Sequence, residues 1–72
     1  MEPLNTIEGR IIERLGLLKT PFGEDVRREL RKLVKEDIMR LYHLGKSPNS
    51  FFKAEQYTRM YHNYTDEQIE FA

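Results

Sequence analysis

The 72-residue sequence contains no cysteine and no tryptophan. Without thiols there can be no disulfide, no thiolate nucleophile and no sulfur-built zinc site. There are only two histidines, His43 and His62. Neither has a metal-ligand partner three or four residues on within a secure helix, so no metal site is expected, and no cofactor either. Long apolar runs are also missing. The densest stretch, Leu15-Gly16-Leu17-Leu18, is far short of the roughly 18 residues a membrane span needs. No basic start leads into an apolar stretch, so no signal peptide is expected and the chain reads as cytoplasmic. β-branched residues are few and do not alternate over five or more positions, which argues against strands.

What is present points to a single small helical domain over residues 1–72. Leu, Ile, Val and Phe make up about a quarter of the chain and the formal net charge is zero, a composition that can support a core. A chain of this length buries only about 60% of its unfolded surface, so its core is thin. Helix-start signals divide it into four pieces. Asn5-Thr6-Ile7-Glu8 and Thr65-Asp66-Glu67-Gln68 have the form of capping boxes. Thr20-Pro21 and Ser47-Pro48 place a capping hydroxyl before a proline, whose missing N–H costs nothing at the first helical position. The expected fold is all-α, three to four helices in bundle-like or orthogonal packing. The helices are predicted at about 5–18, 22–44, 48–62 and 65–71, with a long central one.

The spacing assigns a core of Ile7, Ile11, Leu15, Leu18, Val26, Leu30, Leu33, Leu41, Leu44, Phe51, Ala54 and Tyr57. Asp37 falls within the inner stripe of the central helix. An ionised carboxylate buried alone there would cost several kcal/mol. It must cap a helix break, pair with a buried Arg, His or Tyr, or lie on an open face. Around it, Ile38, Met39 and Tyr42 turn apolar a side of the helix that is basic one turn earlier. An all-round apolar segment is a covered one. These three, with Phe52, Met60 and Tyr61 from the tyrosine-rich third helix, form a candidate partner-binding surface. Tyrosine suits such surfaces because it buries a large ring while keeping its hydroxyl in water.

Charge is unevenly distributed. Residues 27–59 carry nine bases and four acids, whereas residues 60–72 carry three acids and no base. The basic middle admits an alternative reading. Leu41 to Pro48, with Gly45 in the turn, resembles a helix-turn-helix, whose second helix reads the DNA major groove. On that reading Arg28, Arg31, Lys32 and Lys35 meet phosphates, while Asn49, Lys53 and Gln56 meet bases. The match is partial, since Leu41, Arg40 and Lys46 occupy positions that the turn prefers to fill otherwise.

No catalytic constellation emerges. Gly45-Lys46-Ser47 imitates the end of a P-loop, but Arg40 stands where the loop needs glycine and no strand precedes it. Glu24-Asp25 and Glu36-Asp37 are adjacent carboxylates, which diverge by about 100° on a helix and cannot act as a general acid/base pair. The expectation is therefore a non-enzymatic regulatory or assembly module acting through protein–protein contacts, with self-association as a homodimer among them. DNA is the alternative partner, and neither a membrane nor a small-molecule substrate is expected.

Overall fold

The structure, a computed structural model, describes residues 4–44 and 48–65, apart from the side chains of residues 4, 48 and 49. Among the described residues there are three helices and no strand: α1 (Leu4–Leu18), α2 (Glu24–His43) and α3 (Pro48–Thr65). Helix α1 follows its sequence stripe closely. Ile7, Ile11, Leu15 and Leu18 are all buried, as side chains repeating at a 3.6-residue period on one face should be.

The α1–α2 connection differs from the expected Thr20-Pro21 start. The Lys19 N–H bonds the Gly16 carbonyl at 3.2 Å and the Thr20 N–H bonds that of Leu17 at 3.0 Å, so the end of α1 tightens and draws in Thr20. The Phe22 N–H then bonds the Thr20 carbonyl across Pro21 at 2.8 Å. Gly23, in extended conformation, becomes the N-cap of α2 and supplies no side-chain cap. Glu24 and Asp25 in the first turn, and Arg40 and His43 in the last, lie at the dipole ends that suit their charges.

Helix α3 begins at Pro48, where proline's fixed φ suits the first turn. It runs three residues past His62, to Thr65, whose hydroxyl donates to the Tyr61 carbonyl at 2.7 Å. Beyond Thr65, the predicted fourth helix lies outside the described residues, as does the Gly45-Lys46-Ser47 turn.

Side-chain contacts fix the directions of the helices. Arg10 and Arg14 on α1 reach Asp37 on α2, while Arg27, ten residues earlier on α2, reaches the Leu18 carbonyl at the end of α1. Helices α1 and α2 are therefore antiparallel. Lys53 and Tyr57 approach Glu8, and Tyr64 lies under the ammonium of Lys19. Helix α3 thus runs alongside α1 in the same direction. The result is an up-down-up three-helix bundle.

The core comprises Ile7, Ile11, Leu15, Leu18, Leu30, Val34, Ile38, Leu41, Ala54, Tyr57 and Tyr61. Ile38, expected on the partner surface, is fully enclosed here, because the buried side of α2 is rotated by about 40° from the expected stripe, toward Val34 and Ile38; Tyr61, expected there too, is enclosed because it continues the buried Ala54–Tyr57 seam of α3. The same rotation leaves Val26 exposed and Leu33 half-buried, and moves Leu44 to the core margin. Phe51, also expected inside, turns its ring edge-on to Tyr42, with centroids 4.9 Å apart, and is exposed.

Candidate functional site

The rotation of α2 places Asp37 at the edge of the core rather than its centre, facing α1. Its side chain has no solvent exposure. Three guanidinium groups hold it. The Arg10 Nε and Nη2 donate to its two oxygens at 3.2 and 2.8 Å. Arg14 donates through Nη1 at 2.8 Å, and Arg40, one turn on in α2, through Nη1 at 2.6 Å. The i, i+4 spacing of Arg10 and Arg14 brings both onto the side of α1 that meets α2. Each arginine side chain remains partly exposed. A buried carboxylate is tolerated under these conditions: charge-assisted bonds on both oxygens, one of them a two-point guanidinium fork. The cluster locks α1 to α2. Its acid is fully occupied and its bases converge on that acid, which makes it a structural clamp.

A second polar link ties α3 to α1. The Tyr57 hydroxyl donates to Glu8 Oε1 at 3.0 Å, and Lys53 lies 3.8 Å from the same oxygen. Burial pushes the Tyr57 hydroxyl up to about 12, reinforced by its bond to Glu8 and by that residue's negative charge. At the start of α2, the hydrogen bond from Arg31 at 2.6 Å, followed by its charge, holds the Glu24 carboxyl below its ordinary value.

The candidate contact residues fall into separate regions. Ile38 and Tyr61 are core. Met39, Tyr42 and Met60 are half-buried, and Phe52 is 68% exposed. Tyr42 also meets the His43 ring at 5.5 Å. Met39, Tyr42, His43 and Phe51 thus mark an aromatic-rich area at the end of the bundle where α2 passes to α3, whereas Phe52, about 100° further round α3 than Phe51, lies on the outward side of that helix. Met60, eight residues beyond Phe52, lies nearer the α1 side of α3. Sequence reasoning missed Phe51 as a surface residue, because an apolar residue near the start of an amphipathic helix reads as core.

Of the residues proposed to meet nucleic acid, Arg28, Lys32, Lys53 and Gln56 are exposed and Arg31 and Lys35 are half-buried. The Asn49 side chain lies outside the described residues. Arg31 is bonded to Glu24, and Lys53 lies beside Glu8.

No family model, curated protein or solved structure matches the chain. Function must therefore be read from its own surface. Among the described residues, no group of three or more His, Cys, Asp and Glu side chains is arranged to hold a metal ion, and no helix is long and apolar enough to cross a membrane.

Proposed function

We propose that the chain is a non-catalytic assembly or regulatory module that engages another protein through Phe52 on the outward side of α3, with Phe51, Tyr42 and Met39 at the margin of the contact. The observation that carries this reading is the exposure of Phe52, a large apolar ring left 68% in solvent beside a second exposed phenylalanine. Burying such a ring stabilises a contact by about 1.5–3 kcal/mol. Aromatic anchors of this kind are what protein interfaces concentrate at their centres. The outward side of α3 past Phe52 carries Gln56 and Asn63, polar groups suited to the rim of an interface.

The test is site-specific photocrosslinking in the source cell. Phe52 is replaced by p-benzoylphenylalanine, which keeps the ring in place, and Glu13, exposed on the outer side of α1, by the same group as the control. A discrete protein adduct formed from position 52 and not from position 13 is expected. Equal labelling at both positions, or none, would overturn the reading.

A further inference from the structure

The side of α2 turned away from α3 carries a charge pattern that the chain itself uses only in part. Glu29, Leu33, Glu36 and Arg40 recur at spacings of four, three and four, which places them in one outward stripe about 60° wide. Glu29 is exposed and makes no ion pair with another described residue. Arg40 holds Asp37 through Nη1, has Nη2 4.0 Å from Glu36, and keeps about half of its side chain in solvent (52%). Leu33 is half-buried, and Val26, on the same side two turns earlier, is 47% exposed. Leu17, two turns beyond Arg10 on the adjoining edge of α1, is exposed as well.

We infer that this stripe is a self-association surface on which a second copy of the chain lays its own α2 antiparallel, so that Glu29 of each copy pairs with the partner's Arg40. The stripe is symmetric about the point midway between residues 34 and 35. A half-turn there exchanges position 29 with 40 and position 33 with 36. The two Leu33 side chains then lie about 4.5 Å apart along the helix direction, close enough to pack over the axis. Charge selects this arrangement over its alternative. A parallel pairing would set Glu29 on Glu29, Glu36 on Glu36 and Arg40 on Arg40, all repulsive. The antiparallel one turns two of those repulsions into two attractive pairs, the device by which flanking charges choose helix orientation in coiled coils. Arg40 can serve both acids, because a guanidinium presents five donors in a planar fork and Asp37 occupies one edge. None of this uses the aromatic area at the other side of α2.

Sedimentation equilibrium of the purified full chain from micromolar to millimolar concentration tests the inference, with far-UV circular dichroism to confirm that each variant folds. The wild type should form dimers with rising concentration. Glu29→Arg and Arg40→Glu should each weaken the dimer about tenfold or more, since each reverses a charge in two symmetry-related pairs. The double variant should recover most of the loss. Because Arg40→Glu also sets an acid beside Asp37 and could unfold the chain, a second arm avoids that residue. The native chain has no cysteine. Glu36→Cys should therefore oxidise to a disulfide-linked dimer, whereas Arg59→Cys on the outer side of α3 should not. A wild type that stays monomeric at millimolar concentration would overturn the inference and leave the face to a different protein. Equal crosslinking from positions 36 and 59, or a folded double variant no tighter than the singles, would overturn it as well.

Discussion

Asp37 shows how a carboxylate can sit in an apolar stripe. Desolvation of the charge opposes burial, and three guanidinium groups at 2.6–3.2 Å offset it. The sequence alone exposes the anomaly, since an acid among Leu30, Leu33, Val34 and Leu41 demands an explanation. It does not reveal Arg10 and Arg14 as the answer, because they are 27 and 23 residues away and their reach depends on how two helices are rotated against each other. Asp37→Ala removes the shared acid and leaves three cations close together. We expect a loss of about 3 kcal/mol, the low end of the range for breaking a buried pair, because the arginines can swing into water. Urea unfolding measures it, and a loss below about 1 kcal/mol would mean that the clamp contributes little. Tyr57 gives a pH-dependent counterpart. Its hydroxyl is held near 12 in the folded chain against 10.0 for the free group. The neutral form is favoured by folding, so this stabilisation is complete below pH 10 and is lost as pH rises through 12. Absorbance titration should show a late-ionising tyrosine step that Tyr57→Phe removes, at a cost of about 1 kcal/mol at neutral pH.

At the scale of the helix, periodicity gives α1 almost completely, since one unbroken stripe of Ile7, Ile11, Leu15 and Leu18 admits one buried face. Helix α2 is harder because its apolar residues cover a wide arc. Val26, Leu30, Leu33, Leu41 and Leu44 define one stripe and Leu30, Val34, Ile38 and Leu41 another, rotated by about 40°. Helix α3 packs over the second, and the Asp37 clamp needs α1 beside the first. Only packing decides between them, and it leaves Val26 and Leu33 toward solvent. The glycines of α1 make a separate point. Gly9 and Gly16 lie within the helix on its exposed side, neither has a positive φ, and a Cβ built on either meets nothing within 4 Å. Among the described residues, nothing uses their missing side chains. Gly9→Ala and Gly16→Ala should each stabilise the domain by about 1 kcal/mol, the helix-propensity difference between the two residues. The urea midpoint should rise in both single variants and further in the double, with the transition slope unchanged.

Among the described residues of the molecule, three helices enclose a core of eleven apolar residues, and polar links such as those of Asp37 to α1 and of Glu8 to α3 help to set their relative placement. A 72-residue domain has little stability to spare, so folding and contact functions must be kept on different residues. Phe52 and Tyr61 test that separation, because the sequence alone places both on the contact surface whereas the fold divides them. Tyr61 is fully buried between the helices, and Phe52 is the most exposed large hydrophobic residue among the described residues. Tyr61→Ala should cost about 3–5 kcal/mol, as the removal of a large buried ring does, and should leave the chain substantially unfolded at 25 °C. Phe52→Lys should shift stability by no more than about 0.5 kcal/mol, because the side chain already lies in water. Thermal and urea denaturation of the two variants side by side give the answer. If Phe52→Lys destabilised the chain as much as Tyr61→Ala, the ring would belong to the fold and no longer be available to a partner. If it left the fold intact, the exposed ring would remain a surface on which binding can be tested without confusing lost contact with lost structure.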